Sequence, residues 1–196
     1  TGFGDPVLAG KSGIIRGVKV VDFYKGDRAL TDKVRSLPEL PETSNELKII
    51  ANYLNVDQEN LFLRERATEE NVKSIDLSNS SVIAFATHGL IAGEMRNLTE
   101  PALVLTPPKL GDAQDDGLLT ASEIALLELN ADWILLSACN TASGQTLEAE
   151  GLSGLAHAFI YAGARSLLVS HWSVDSITAT KLTTGIFKEM ENDKSI

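Results

Sequence analysis

Cysteine is nearly absent from this chain of 196 residues, which contains one. A single thiol excludes an intramolecular disulfide framework and a cysteine-rich zinc site. Since disulfides form and persist in oxidising compartments, this scarcity is typical of a cytoplasmic protein. The one cysteine, Cys139, is either a packing residue in the core or a reactive thiol.

The chain also has fewer basic than acidic side chains. The chain has 17 lysine and arginine residues against 27 aspartate and glutamate residues, which gives a formal net charge of −10. An acidic protein repels the phosphate backbone of nucleic acids. We therefore expect no direct nucleic-acid partner.

No stretch of the sequence is typical of a membrane span or a secretion signal. The most apolar long stretch, 152–172, contains His157 and Arg165, and a bilayer would have to bury these polar groups at high cost. The N-terminus lacks a basic segment followed by an apolar one, and it opens on Thr1 instead of methionine. We expect no membrane contact, and we interpret residues 1–196 as a single domain that is a fragment of a longer protein.

Apolar patterns alternate between strands and helices along the chain. Continuous apolar runs predict buried strands at 81–86, 133–136 and 166–170, with shorter strands at 61–63 and 102–105. Helical spacing predicts helices at 43–55, after Thr68, after Thr120, at 149–162 and after Asp175. The helix at 43–55 is expected to begin with a capping box formed by Thr43 and Glu46, and the helix at 149–162 is expected to end at Gly163. This alternation is typical of an α/β fold whose mostly parallel sheet is covered by helices on both faces.

Two reactive side chains follow the ends of predicted central strands. His88 comes after the strand at 81–86, and Cys139, 51 residues later, comes after the strand at 133–136. The carboxyl ends of parallel strands are where α/β folds present reactive groups. A thiol needs a nearby imidazole to hold the thiolate and to protonate the leaving amine, so the two side chains form a candidate dyad. Taken singly, each has a plain alternative, a buried packing cysteine and a hydrogen-bonded structural histidine.

Several sequence blocks resemble one known family, the bacterial CHAT domain. The blocks are Phe-Ala-Thr-His-Gly at 85–89, Leu-Ser-Ala-Cys-Asn-Thr at 136–141, Gly-Leu-Ser-Gly-Leu-Ala at 151–156 and Ser-His-Trp-Ser-Val-Asp at 170–175. The resemblance runs from about residue 37 to residue 187. It implies a caspase-like three-layer sandwich, in a group of His–Cys peptidases that includes separases and metacaspases. CHAT domains are often attached to tetratricopeptide repeats, so the resemblance also implies such repeats as a partner within the parent protein.

The resemblance assigns functions to particular residues. His88 corresponds to the general base and Cys139 to the nucleophile, and the backbone N–H groups of Gly89 and Cys139 are the expected oxyanion donors. Ser137 stands where caspases carry Gln and metacaspases carry Asp, so neither the caspase preference for Asp nor the metacaspase preference for basic residues is supported. We expect Ser137, His171 and Trp172 to contact a protein or peptide substrate. The chemistry requires no cofactor and no metal.

One competing function and one competing site have to be weighed. The competing function is a catalytically silent interaction or regulatory module that keeps the caspase-like fold, because a fold and a motif do not prove turnover. The competing site is a calcium loop at 112–123, whose acidic residues nearly match the EF-hand pattern. Prolines at 101, 107 and 108 forbid the helix that must precede such a loop, so we predict a solvated connector there.

Overall fold

A computed structural model of the chain describes residues 1–10, 24–25, 28–92, 98–112, 114–137, 148–169, 181, 184–186 and 188. The strands are β1 Gly2–Pro6, β2 Tyr24–Lys25, β3 Arg28–Ala29, β4 Leu61–Arg64, β5 Val82–Ala86, β6 Gly89–Leu90, β7 Ala102–Val104, β8 Leu118–Thr120, β9 Trp133–Ser137 and β10 Ser166–Val169. The helices are α1 Thr31–Arg35, α2 Pro41–Tyr53, α3 Glu69–Ser74, α4 Ala121–Ile124 and α5 Glu148–Tyr161, with a 3-10 turn at Gln58–Asn60.

Five parallel strands form the central sheet, in the order β10-β9-β5-β1-β4. The two longest apolar strands, β5 and β9, lie side by side in the middle, with Ala86 opposite Ser137. Since parallel strands need crossover connections, helices lie between most of them along the chain. The predicted α/β class with a mostly parallel central sheet is confirmed.

Helices cover both faces of this sheet, because alternate residues of each strand point to opposite sides. Ile83 and Phe85 contact one apolar core, which includes residues of α3, α4 and α5. Ala84 and Ala86 contact the other core, which includes residues of α2. The result is three layers, as predicted.

A second, antiparallel sheet of three strands, β6-β7-β8, follows His88 directly. Gly89 pairs with Leu103, and a third apolar core lies around these strands. This sheet fixes the backbone immediately after the end of β5. Strands β2 and β3, of two residues each, pair antiparallel with one another as a separate small sheet.

The predicted strands and helices that fall on described residues are confirmed, apart from one helix cap. Thr68 and Thr120 cap α3 and α4 as predicted. The Thr43 capping box is wrong, because α2 begins at Pro41, and Thr43 Oγ1 accepts a hydrogen bond from the Asp5 N–H at 2.9 Å. Strand β1 was not predicted at all. The predicted cap at Asp175 lies outside the described residues.

Within the described ranges, no helix has both the length and the apolar character that crossing a bilayer requires.

Candidate active site

The carboxyl ends of β5 and β9 adjoin one another at one edge of the central sheet. Ala86 pairs with Ser137, and the Thr87 N–H donates to the Ser137 carbonyl at 3.3 Å. His88 therefore follows one strand end, and the residues after Ser137 leave the neighbouring one. Cys139 lies outside the described residues, as do Ala138 and residues 140–147, so the position of its thiol stays a prediction.

The His88 side chain is buried, with 3% of its surface exposed. Its Nε2 lies 2.8 Å from the Pro38 carbonyl oxygen. A carbonyl can only accept, so Nε2 carries a hydrogen and donates it. In the neutral ring the remaining nitrogen, Nδ1, then has the free lone pair and can accept a proton. The Pro38 carbonyl thus fixes both the tautomer and the orientation of the ring.

Burial also controls the charge of His88. Burial lowers the pKa of His88 below its usual value, and the Pro38 carbonyl and the negative charge of Glu42 partly oppose this effect. The net effect favours the neutral imidazole. A neutral imidazole with a free lone pair is the form that can act as a general base.

The pairing of β6 with β7 leaves the backbone N–H of Gly89 unused by the ladder between these two strands. The Val104 N–H donates to the His88 carbonyl at 2.9 Å. In an antiparallel ladder, opposite residues alternate between pairs that exchange hydrogen bonds and pairs that do not. Since His88 and Val104 form a hydrogen-bonded pair, the next pair, Gly89 and Leu103, exchanges no hydrogen bonds. The Gly89 N–H therefore points away from β7, beside the strand end that carries His88.

Ser137 contacts Glu46, and the predicted part of Glu46 in a capping box is wrong. Its hydroxyl donates to Oε2 of Glu46 at 3.1 Å, and Glu46 is 1% exposed on the side of α2 that faces the sheet. The spacing of Thr43 and Glu46 predicts that Glu46 is the second member of a capping box. The signal against that interpretation is its position in the apolar stripe of α2, adjacent to Leu47 and one turn before Ile50.

Two further polar residues lie at the same edge of the sheet. Asp5, near the end of β1, forms an ion pair with Arg64, the last residue of β4, with 3.2 Å between Oδ1 and Nη1. Both residues have left-handed backbone, with φ of 48° and 55°. Burial raises the pKa of Asp5, and Arg64 acts against this shift. Local sequence patterns identify neither residue, because the pair forms only through the long-range pairing of β1 with β4.

The acidic residues at 112–123 bind backbone groups of the protein itself. Asp116 is 7% exposed and accepts a hydrogen bond from the Leu118 N–H at 3.0 Å. Glu123 forms the capping box of α4 with Thr120. The prediction of a solvated connector is therefore wrong for Asp116, which the loop buries. Among the described residues, no group of three or more His, Cys, Asp or Glu side chains is arranged to hold a metal ion.

The other two predicted substrate contacts, His171 and Trp172, lie outside the described residues. The structure brings together His88, Gly89 and Ser137, at the ends of β5 and β9. It adds Pro38 and Glu46, which lie just before and within α2.

Comparison with known proteins identifies one family. The family model for the CHAT domain matches residues 15–196 of the chain. This match includes every predicted site residue. No curated protein and no solved structure matches at a significant level.

Proposed function

The chain belongs to the CHAT domain family, and we propose that it is a cysteine endopeptidase in which Cys139 is the nucleophile and His88 the general base. The observation that carries this proposal is the state of His88. Its ring is buried at a strand end, Nε2 is bonded to the Pro38 carbonyl, and burial lowers its pKa, which favours the neutral form. A histidine oriented in this way keeps Nδ1 as its basic nitrogen, at the end of a strand that adjoins the strand leading to Cys139.

In the proposed reaction, the Cys139 thiol transfers its proton to Nδ1 of His88, and its sulfur attacks the carbonyl carbon of the scissile peptide bond. The tetrahedral intermediate expels the amine, which takes the proton from His88 and leaves a thioester. Water then attacks the thioester, with His88 again accepting a proton, and releases the carboxylic acid and the thiol. The Pro38 carbonyl stabilises the transient imidazolium through its hydrogen bond with Nε2.

Backbone N–H groups stabilise the negative oxygen of the tetrahedral intermediate in this proposal. The donors are the N–H groups of Gly89 and Cys139. The orientation of Gly89 supports its role, because its N–H is not used in the ladder with β7. In known acyl-transfer enzymes, removal of one such donor costs about 2.7–4 kcal/mol of transition-state stabilisation.

We propose that protein or peptide substrates bind as an added strand beside residues 170–173, contacting Ser137, His171 and Trp172. Main-chain pairing supplies affinity in this mode of binding, and pockets supply specificity. Trp172→Ala should raise KM for peptides more than it lowers the melting temperature, as expected when uniform binding is lost. A variant that melts much earlier but binds peptides normally would show that Trp172 belongs to the core.

Alkylation of Cys139 distinguishes a peptidase from a silent module without a known substrate. Because the chain has one cysteine, the rate of modification by iodoacetamide reports on that thiol alone. In a peptidase, the folded protein reacts well below pH ~8.5, the ordinary pKa of a free thiol, and His88→Ala moves the profile back towards that value. A thiol that stays unreactive until the protein unfolds would contradict the proposal.

A further inference from the structure

Glu46 is a buried carboxylate with no assigned function in the proposed reaction. It is 1% exposed, on the face of α2 that contacts the sheet. Burial of a carboxylate is costly unless hydrogen bonds compensate it, and an apolar residue of similar size often gives equal or greater stability. The helix around it already presents apolar residues to the sheet, among them Leu47 and Ile50. What Glu46 adds to this helix is a carboxylate that can accept a hydrogen bond from the sheet.

This hydrogen bond lies at the end of β9. Oε2 of Glu46 accepts the hydroxyl hydrogen of Ser137, the last residue of the strand, at 3.1 Å. Ser137 is also tied to the neighbouring strand, since its carbonyl accepts the Thr87 N–H, next to His88. The Glu46–Ser137 contact joins residues 91 positions apart, so it fixes a helix on one face of the sheet to the carboxyl end of a central strand.

The same part of the chain also supports two other strand ends. Pro38, shortly before α2, holds the His88 ring after β5, and Thr43, in the first turns of α2, holds the Asp5 N–H in β1. Residues 38–46 thus contact the carboxyl ends of three adjacent strands through polar groups. A helix that only covered the sheet would need none of these bonds.

We propose that Glu46 is a positioning residue: through the Ser137 hydroxyl, it fixes the end of β9 relative to His88 and so sets the approach of the residues that follow Ser137. This proposal rests on the proposed function, because it gives Glu46 a task in the Cys139–His88 pair. Glu46 acts through Ser137 in this proposal.

The thiol pKa distinguishes positioning from a plain effect of charge. Removal of a nearby negative charge favours the thiolate, so Glu46→Gln would lower the thiol pKa if charge were its only contribution. If Glu46 positions the end of β9, its loss weakens the pair of thiolate and imidazolium that forms when the thiol proton moves to Nδ1 of His88, and the thiol pKa rises towards that of a free thiol. The two explanations therefore predict opposite signs.

The experiment measures iodoacetamide alkylation of Cys139 against pH in the wild type, Glu46→Gln, Ser137→Ala and the double variant. We expect each single variant to raise the apparent thiol pKa, with alkylation about tenfold slower at pH 6 for each unit of rise. The double variant should show no larger shift than the more affected single variant, because both remove the same contact. Ser137→Ala removes a single hydroxyl and keeps the test valid if Glu46→Gln fails to fold.

Two control variants accompany this measurement. Glu69→Gln removes another carboxylate that is 1% exposed, bonded to the N–H groups of Asp116 and Gly117. This variant should lower the melting temperature without moving the thiol pKa.

His88→Ala tests the proposed function itself. If His88→Ala leaves the wild-type profile unchanged, the dyad and the positioning role both fail. If His88→Ala raises the thiol pKa but Glu46→Gln and Ser137→Ala leave it unchanged or lower it, the positioning role alone is overturned.

Discussion

Single buried polar residues at the sheet edge depend on partners far away in the sequence. The ring of His88 is oriented by Pro38, 50 positions away, and the hydroxyl of Ser137 is bound by Glu46, 91 positions away. Strand patterns in the sequence place His88 and Ser137 at strand ends, since those patterns are local. They cannot reveal Pro38 or Glu46, because the contacts arise only when α2 packs on the assembled sheet. A glutamate in an apolar helical stripe was the one available signal, and a capping box offered a local explanation for it.

The titration of His88 is the first prediction at this scale. Burial should hold the pKa of His88 below its ordinary value of about 6.5, and Glu42→Gln should lower it further by removing a negative charge that stabilises the imidazolium. Two-dimensional NMR of the imidazole signals against pH measures both shifts. Glu39→Gln, at an exposed position of the same segment, is the matched control and should have no effect. Equal shifts in the two variants would contradict the assignment to Glu42.

The same burial has a consequence for stability. The unfolded chain takes up a proton on His88 more readily than the folded chain does, so the contribution of the neutral ring is fully present above pH ~6.5. This contribution to the free energy of unfolding is lost as the pH falls from about 6.5 through the lower pKa that His88 has in the folded protein.

At the scale of elements, local signals predicted most helix ends and missed one central strand. Strand β1 has the sequence Gly-Phe-Gly-Asp-Pro, and Gly, Asp and Pro are all depleted in strands. Its composition is explained by packing: a Cβ added to Gly4 would lie 2.8 Å from the Ala86 carbonyl oxygen and 2.7 Å from Leu47 Cδ1. The Ala86 carbonyl belongs to the backbone of the neighbouring strand β5 and cannot move aside, so the position requires glycine. Such a requirement exists only in the folded protein, so propensity gave the wrong answer.

The end of α5 gives the second prediction. Gly163 has φ of +112°, and a Cβ added to it would lie 2.2 Å from the Leu129 carbonyl oxygen. Gly163→Ala should therefore lower the free energy of unfolding by at least about 1–3 kcal/mol, the cost of a strained backbone alone. Urea denaturation measures this loss. Gly185→Ala is the control, since its added Cβ meets nothing within 4 Å, and it should leave stability equal or up to about 1 kcal/mol higher. Similar losses in both variants would contradict the argument.

At the scale of the whole molecule, the charge balance and the buried carboxylates make stability depend on pH. The chain carries a formal net charge of −10, and burial raises the pKa of Asp5, Asp116 and Glu69. For Glu69 burial outweighs the opposing Lys73 ammonium, which lies 2.8 Å from Oε2, and the pKa rises from 4.5 to about 7. Nearby Glu123 and Asp116 add to the shift.

This shift gives the third prediction. Between the unfolded pKa of 4.5 and the folded pKa of about 7, the folded state binds more protons than the unfolded state. The contribution of Glu69 to stability is thus fully present below the unfolded pKa and is lost as the pH rises through the folded one. The melting temperature of the wild type relative to Glu69→Gln should therefore be higher at about pH 5 than at about pH 8. Glu59→Gln, at an exposed position, should show a constant difference, and a constant difference for Glu69→Gln would contradict the prediction.

The fold as a whole was predictable in class, layers and strand ends, because apolar alternation and capping are local patterns. The order of strands was not, because it depends on long-range pairing such as that of β1 between β4 and β5. For the candidate site, the sequence supplied His88 and Ser137, and the structure supplied the residues around α2 that hold them.

The most direct test of the central claim, that this domain is a peptidase using His88 and Cys139, is to incubate a proteome-derived peptide library with the chain and identify new N-termini by mass spectrometry. The same library is treated with Cys139→Ala and His88→Ala, each first shown to melt at the wild-type temperature. We predict cleavage at a restricted set of sites by the wild type and its loss in both variants, because the two residues act as a unit. Cleavages that persist in Cys139→Ala, or a wild type that produces none beyond those of that variant, would contradict the account.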